Sequence, residues 1–216
     1  MSAATAIVIA KEPRPGRVKT RLCPPCTPPQ AAALARAALE DTLNAVGRVD
    51  VARRLLCLDG SPGTWVGRGF DVAAQRGDGL GERLDNAFEL VDGGPALLVG
   101  MDTPQLDRRL LHAALSALHD RRTDAVLGPA EDGGYWAIGF RRPPTGAFER
   151  VPMSSDRTCE VQLARLEQLG LRTRLLPVLR DVDVIEDAAA VATQAPGTRF
   201  AAALRTLETG WRQAAA

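Results

Sequence analysis

The chain has 216 residues, of which 45% are hydrophobic and 25% charged, and its formal net charge is +1. These proportions suit one domain with a sizeable core, and near neutrality excludes a general electrostatic attraction to nucleic acid or anionic membranes. No run approaches the roughly 18 consecutive apolar residues of a membrane span. The apolar N-terminal run lacks preceding basic residues and a small-residue cleavage site, so we expect a cytoplasmic protein.

Short apolar runs alternate along the chain with segments of helical period. Strands are predicted over 5–10, 54–58, 70–74, 95–100, 124–127, 135–140 and 172–176, and helices over 29–46, 80–91, 107–118, 158–169, 185–193 and 198–213. Strands that alternate with helices need crossover connections, which predict an α/β fold with a mainly parallel twisted sheet and helices on both faces. Pro and Gly are spread over several loops, so residues 1–216 are expected to form a single domain.

Only two of the 27 Lys and Arg residues are lysines, and both, Lys11 and Lys19, lie in the loop after the first predicted strand. In a chain this rich in Arg, a retained Lys indicates a position that needs a compact ammonium instead of a broad guanidinium fork. Residues 11–22 carry five positive charges and one negative charge beside Gly16 and two prolines. We therefore predict a polyphosphate site in this loop, and a solvated basic turn is the alternative.

Polar segments also follow several of the other predicted strands. Ligands bind at the carboxyl ends of the strands of an open parallel sheet, so these segments are expected to meet in one crevice. The segment after the third strand contains Gln75, Gly77, Asp78 and Gly79, where the backbone can approach a nucleotide closely and a helix start can donate N–H groups to an anion. Asp78 is alternatively the cap of that helix.

Asp102 follows the most hydrophobic predicted strand directly and is the strongest single candidate. A carboxylate in this position can hold Mg²⁺ (or Mn²⁺) against a diphosphate. The alternative is a helix N-cap, although Asp107 lies nearer the start of the next helix. The second metal ligand is expected to be Asp181 or Asp183, whose carboxylates fall on one side of an extended backbone. Solvated loop acids are the alternative.

Gly133, Gly134 and Tyr135 are predicted to shape a pocket for an acceptor, that is, a second substrate to which a group is transferred. Ser154 and Ser155 add hydroxyl groups further along, although capping of the following helix is the better interpretation of that stretch.

Four cysteines include one C-x-x-C pair, Cys23 and Cys26. No second pair of cysteines or histidines is spaced to complete a structural zinc site. Reduced thiols are therefore the expected state.

These residues resemble two related groups of enzymes. Lys19-Thr20-Arg21-Leu22 is similar to a motif in the nucleotide loop of the 2-phospholactate guanylyltransferases. More completely, the chain looks like a sparsely characterised bacterial family of the GT-A (nucleotide-diphospho-sugar transferase) superfamily, usually described as glycosyltransferase-like. The shared motifs are Lys11-x-Pro13-x-Pro15-Gly16-x-x-Lys19-Thr20-Arg21-Leu22, Gln75-x-Gly77-x-x-Leu80-Gly81-x-Arg83, Gly100-x-Asp102-x-Pro104, Asp132-Gly133-Gly134-Tyr135 and Asp181-Val182-Asp183.

The resemblance implies a nucleotide in the first loop, and Asp102 with Asp183 as ligands of a divalent metal. The chain also departs from both groups. Asp132-Gly133-Gly134-Tyr135 stands where the guanylyltransferases have a Gly-Thr-rich acceptor loop, and Met153-Ser154-Ser155-Asp156 stands where the other relatives tend to have Trp-Ser-Thr. The identity of the acceptor is therefore expected to differ.

Together these patterns predict a Mg²⁺-dependent transferase with a nucleotide donor. In the favoured version, Lys11, Lys19 and Arg21 neutralise a nucleoside triphosphate, a small anionic acceptor attacks the α-phosphate and pyrophosphate leaves. Positioning and charge stabilisation suffice for this reaction, so no nucleophilic side chain is required. The alternatives are a glycosyltransferase that uses a nucleotide-diphospho-sugar and a non-catalytic nucleotide-binding protein.

Overall fold

The computed structural model describes residues 4–214. The strands are β1 (Thr5–Lys11), β2 (Arg53–Asp59), β3 (Asp71–Ala74), β4 (Ala96–Val99), β5 (Ala125–Pro129), β6 (Tyr135–Phe140) and β7 (Thr173–Leu175). The helices are α1 (Pro28–Gly47), α2 (Leu80–Glu89), α3 (Arg108–His119), α4 (Thr158–Gln168), α5 (Ile185–Gln194) and α6 (Arg199–Ala214). Every predicted strand and helix is present, with ends that differ by at most two residues, and a 3₁₀ turn at Thr20–Leu22 was not predicted.

The seven strands form one sheet in the order β3-β2-β1-β4-β6-β5-β7. All neighbouring strands are parallel except β6, which runs antiparallel to β4 and β5. This reversal follows from the short 130–134 turn between β5 and β6, which leaves no room for a crossover. The amino end of β6 consequently lies at the same edge of the sheet as the carboxyl ends of the other strands.

The hydrophobic core lies on both faces of the sheet. Neighbouring residues of β1 lie on opposite faces of the sheet, because successive side chains of a strand point in opposite directions. Val8 packs in a cluster with α1 and α3, whereas Ile7 packs in a second cluster with α2 and α4. Helices therefore cover both faces, as predicted.

A third cluster joins α5 and α6 to α1 and to the first loop. It contains Leu22 and Cys26 from the loop and Val182 from the segment before α5. Asp41, in the middle of α1, accepts hydrogen bonds from the backbone N–H groups of Arg199 (3.1 Å) and Phe200 (2.9 Å) at the start of α6. The cluster thereby brings the first loop and the residue 181–183 segment, which are far apart in sequence, to one place.

No helix among residues 4–214 combines the length and the apolar character needed to cross a membrane.

Candidate active site

A cleft of about 1080 Å³ lies at the edge of the sheet where the parallel strands end. Most of the predicted site residues line it: Lys11, Lys19, Thr20, Arg21, Gln75, Asp78, Asp102, Gly134, Tyr135 and Asp183. Gly16, Gly77, Gly79 and Gly133 do not line the cleft, although each belongs to a loop that does. Residues 153–156 and Thr158 also line the cleft.

Lys19 joins three distant segments at the centre of the cleft. Its Nζ lies 2.5 Å from Oδ1 of Asp102 and also donates to the carbonyl oxygen of Val182. The backbone N–H of Val182 in turn donates to the carbonyl oxygen of Asp102 (2.9 Å). The Lys19 side chain is only 10% exposed and its φ is 50°, a left-handed conformation that costs free energy for a residue with a Cβ. Packing around the cleft therefore holds this ammonium in a defined position.

A second ion pair lies nearer the solvent. Arg21 donates through Nη1 to Oδ2 of Asp183, and the Arg21 side chain is 72% exposed. Exposed pairs of this kind contribute little to stability. The guanidinium can therefore exchange its carboxylate partner for a phosphate at small cost.

Asp181 lies beside both pairs without a partner of its own. Its Oδ1 is buried and accepts no hydrogen bond. Burial, followed by the charges of Asp102 and Asp132, raises the pKa of Asp181 to about 7, while Lys19 opposes the rise. The residue between the two acids, Val182, is buried in the third cluster, so both carboxylates face the cleft.

These carboxylates suit a hard divalent cation. No group of three or more His, Cys, Asp and Glu residues within residues 4–214 is arranged to hold a metal by itself. Mg²⁺ usually takes only one or two protein carboxylates and completes its shell with water and phosphate oxygens. Asp102 and Asp183 both line the cleft and offer two carboxylates.

The loop after β3 is held by its own side chains. Nε2 of Gln75 donates to the carbonyl oxygens of Ala10 (2.8 Å) and Cys57 (3.0 Å), which bridges the ends of β1 and β2. Arg83 donates to Asp59 (3.0 Å) and to the carbonyl oxygen of Gly77 (3.2 Å). The amide of Gln75 is thus engaged in the scaffold.

Asp102 and Asp78 each had a helix N-cap as the alternative to a role in the cleft. Asp107, and not Asp102, caps α3 by accepting a hydrogen bond from the backbone N–H of Leu110 (2.8 Å). Asp78 does not cap α2, whose N-cap is Gly79 without a side-chain hydrogen bond. Both Asp102 and Asp78 thereby keep their carboxylates for the cleft.

Gly133 joins the turn between β5 and β6 to the segment before α4. Its φ is 87°, and a Cβ at this position would lie 1.8 Å from the carbonyl oxygen of Asp156. The carbonyl oxygen of Gly133 also accepts a hydrogen bond from the backbone N–H of Cys159 (2.8 Å) at the start of α4. Glycine is therefore needed here for close contact between two backbones, which places Gly134 and Tyr135 at the cleft surface.

Tyr135 and Ser155 are oriented by local partners. The Tyr135 hydroxyl donates to Oε1 of Gln162 (3.4 Å), and burial keeps the pKa of this phenol well above its ordinary value. Oγ of Ser155 accepts from the backbone N–H of Arg157 (3.2 Å) in the turn before α4. The N-cap of α4 is Arg157 and makes no side-chain capping hydrogen bond, so the capping interpretation of this stretch was wrong.

Asp156 and Trp136 are among the lining residues that were not predicted. Asp156 reaches the cleft through the long-range contact with Gly133, for which the local sequence carries no signal. Trp136 is 2% exposed and donates through Nε1 to the carbonyl oxygen of Pro177 (3.0 Å).

Comparisons with known proteins place this site in context. The family model described as "Uncharacterized protein conserved in bacteria (DUF2064)" matches residues 42–155. A crystal structure of a provisionally assigned nucleotide-diphospho-sugar transferase from Desulfovibrio desulfuricans is 28% identical, with a TM-score of 0.88 over 99% of this chain and 98% of that one. No curated protein matches the chain.

Two further structures are similar in fold alone. One is CMP:2-keto-3-deoxy-manno-octonic acid synthetase complexed with CTP, which is 14% identical with a TM-score of 0.58 over 89% of this chain and 99% of that one. The other is 2-C-methyl-D-erythritol 4-phosphate cytidylyltransferase from Thermus thermophilus, 18% identical with a TM-score of 0.57 over 91% and 100%. The comparisons confirm the predicted fold class and the resemblance to a poorly characterised group of that fold.

Proposed function

The chain belongs to the DUF2064 family of uncharacterized proteins conserved in bacteria, and on that premise we propose that it is a Mg²⁺-dependent transferase that uses a nucleotide donor. The class, a nucleotide-dependent transferase, is borne out by the likeness to the Desulfovibrio protein along nearly the whole of both chains. The proposal rests on two ion pairs in one cleft, Lys19 with Asp102 and Arg21 with Asp183.

The two ion pairs place cations beside carboxylates. A site for a metal and a polyphosphate needs both, because carboxylates bind the metal and cations bind the phosphates. Lys19 and Arg21 orient the two carboxylates and are oriented by them. A polyphosphate that enters the cleft offers oxygens to the same ammonium and guanidinium, with Lys11 at the end of β1 as a further cation. Mg²⁺ held by Asp102 and Asp183 would neutralise phosphate charge and stabilise the leaving group.

We favour nucleotidyl transfer from a nucleoside triphosphate. In that reaction the acceptor oxygen bonds to the α-phosphorus, the bond to the β-phosphate oxygen breaks, and pyrophosphate leaves. The protein needs only to position the reactants and to stabilise charge. No Cys or His side chain lines the cleft within the described residues, which agrees with a reaction that has no covalent intermediate on the protein.

Glycosyl transfer is the second candidate, and the described role of the Desulfovibrio protein favours it. The same cations would then hold the diphosphate of a nucleotide-sugar, and the wall formed by residues 132–135 would contact the sugar. A non-catalytic nucleotide-binding protein is the third.

Thermal unfolding tests the proposal directly. The protein is melted with a panel of nucleoside triphosphates and nucleotide-diphospho-sugars, each with and without Mg²⁺. Binding at 100 times Kd adds about 2.7 kcal/mol to the free energy of unfolding, which a melt resolves easily. Mg²⁺-dependent stabilisation by a triphosphate supports nucleotidyl transfer, and preference for a nucleotide-sugar supports glycosyl transfer. A panel without any stabilisation would contradict the nucleotide site altogether.

Asp102→Asn separates the catalytic from the non-catalytic candidate. We expect this variant to lose the Mg²⁺-dependent part of nucleotide binding, roughly tenfold or more in Kd, and to lose turnover, because an amide is a poor ligand for a hard cation. Asp107→Asn is the matched control, since Asn also caps helices well and Asp107 lies outside the cleft. Unchanged Mg²⁺-dependent binding in Asp102→Asn would favour the non-catalytic protein.

A further inference from the structure

The charges in the cleft are distributed unevenly among the segments that line it. Four of its cations lie at the end of β1 and in the first loop: Lys11, Arg17, Lys19 and Arg21. The fifth, Arg83, is held on the scaffold by Asp59. The cleft-lining residues of segments 132–137 and 153–158, here called the acceptor wall, include the carboxylates of Asp132 and Asp156 and, within the described residues, no cation.

Arg157 belongs to the 153–158 segment but does not line the cleft, and its guanidinium pairs with Glu160 at 3.2 Å. An anion bound against the acceptor wall would therefore meet two carboxylates and no cation of that wall. This distribution opposes the anionic acceptor expected from the sequence.

The polar groups of the acceptor wall are held in place. The contact of Gly133 with the backbone of Asp156 joins its two segments. Thr158 donates through Oγ1 to the carbonyl oxygen of Pro152 (2.8 Å) and accepts from the backbone N–H of Ser155 (3.0 Å). Ser154 adopts a φ of 60°, a left-handed conformation held by this turn. Such preorganised groups lose little entropy when they bind a ligand.

The wall also faces apolar surface. Leu80, at the start of α2, lines the cleft with 43% of its surface exposed. Met153 lies partly buried in the second cluster beside Tyr135. A ligand that fits between these side chains and the carboxylates has an apolar face and a rim of hydrogen-bond donors, because an ionised carboxylate only accepts hydrogen bonds.

We propose that the acceptor is an uncharged polyhydroxyl compound, of the chemical class of sugars and polyols, which binds against the acceptor wall with hydroxyl groups on Asp156, Ser154 and Ser155. The inference rests on the proposed function and applies to either kind of transfer. One acceptor hydroxyl oxygen supplies the electron pair for the new bond, and the bond to the leaving phosphate breaks and takes its own pair. The hydroxyl proton passes to water.

A matched set of hexose derivatives tests the charge of the acceptor. Glucose, glucosamine and glucose 6-phosphate share one skeleton and are neutral, cationic and anionic. The stabilising nucleotide found in the melt is bound first with Mg²⁺, and then each compound is added while further stabilisation and leaving-group release are measured. We expect glucose to act at lower concentration than either charged derivative. A preference for a charged derivative, or no response to glucose while the nucleotide still binds, would overturn the inference without touching the proposed function.

Charge reversal at Asp156 provides the second test. Asp156→Lys is expected to raise the half-saturating glucose concentration by roughly tenfold, the loss of one hydrogen bond to a charged group. It should also improve binding of glucose 6-phosphate, while the nucleotide Kd stays within about twofold of wild type. Glu167→Lys is the control, because Glu167 is exposed on α4 and does not line the cleft. Equal effects of the two variants on the half-saturating glucose concentration would refute a direct role for the acceptor wall.

Discussion

Lys11 and Lys19 share one loop but stand in different surroundings. Lys11 is exposed at the end of β1, whereas the Lys19 side chain is 10% exposed and has two oxygen partners. A guanidinium is broader and donates in a fixed plane, so it cannot occupy the space of a compact ammonium between Asp102 and the carbonyl oxygen of Val182. The structure therefore gives a reason for lysine in place of arginine at Lys19, but not at Lys11.

Lys19→Arg is expected to weaken Mg²⁺-dependent nucleotide binding by about tenfold or more, since the larger head group displaces Asp102 and the loop together. Lys11→Arg makes the same chemical change at an exposed position and should alter the Kd by less than about threefold. Titration calorimetry with the stabilising nucleotide measures both. Wild-type affinity in Lys19→Arg would mean that the position of the two lysines carries no information about function.

Among the structural elements, the junction between the 130–134 turn and the start of α4 determines the shape of the acceptor wall. The carbonyl oxygen of Asp156 approaches Gly133 so closely that a single methyl group has no space. The backbone of the turn cannot retreat, because it is paired with α4 through the Cys159 N–H.

Gly133→Ala is accordingly expected to lower the free energy of unfolding by more than about 3 kcal/mol, through left-handed strain and steric overlap together. Gly93→Ala separates the two causes, because Gly93 has a similar φ of 81° and no atom within 4 Å of the added Cβ. That control should lose only about 1 kcal/mol. Urea denaturation compares the variants, and equal losses would show that the overlap is relieved by a local shift.

A second element-scale feature is the carboxylate that ties three strands together. Asp124, just before β5, accepts hydrogen bonds from Arg172 beside β7, at 2.7 Å from Nε, and from Arg141 after β6. Hydrogen bonds from Arg172 and then from Arg141 hold the pKa of Asp124 below its ordinary value, although partial burial opposes them. The edge of the sheet thus depends on one ionised group.

Asp124→Asn should lower the free energy of unfolding by about 1–3 kcal/mol at neutral pH. Because the folded-state pKa is lowered, the stabilisation is complete above the ordinary value of about 4 and is lost as the pH falls through the folded pKa. The difference between wild type and variant should therefore shrink below about pH 4. Asp92→Asn, at a 97% exposed side chain, is the control and should have no pH-dependent effect. Denaturation curves between pH 2 and 8 measure this difference. A difference between wild type and Asp124→Asn that does not change with pH would contradict the prediction.

At the scale of the whole molecule, one sheet runs through the described residues, and the third cluster connects the C-terminal helices to the first loop. The single domain predicted from the sequence remains a prediction. Its physical basis is that Leu22 and Val182, which flank the cleft, are buried against α1 and α6. Detachment of the C-terminal helices would therefore expose the support of the first loop.

Unfolding is accordingly expected to be one cooperative transition, with far-UV circular dichroism and tryptophan fluorescence changing together. The three tryptophans report on separate regions: Trp65 follows β2, Trp136 lies in β6 and Trp211 lies in α6. Asp41→Ala, which removes the carboxylate that holds the start of α6, should shift the whole transition by about 2 kcal/mol. Two separate transitions, with α6 lost first, would show that the C-terminal helices are an independent unit.

The positions of the strands and helices could be predicted from the sequence alone, because the period of apolar residues is a local property. The convergence of Lys19, Asp102 and Asp183 was equally predictable, since the carboxyl ends of parallel strands meet at one edge of a sheet. Neither inference required knowledge of which side chains touch.

The tertiary structure decided which of these groups became partners. Lys19 meets Asp102 across 83 positions of the chain, Gly133 contacts the backbone of Asp156, and the Gln75 amide is engaged in the scaffold. Such pairings depend on how helices and loops pack around the sheet, and the amino acids near each residue carry no record of them. The uneven distribution of charge among the segments that line the cleft, which bears most directly on the acceptor, arises only when those distant segments are folded together.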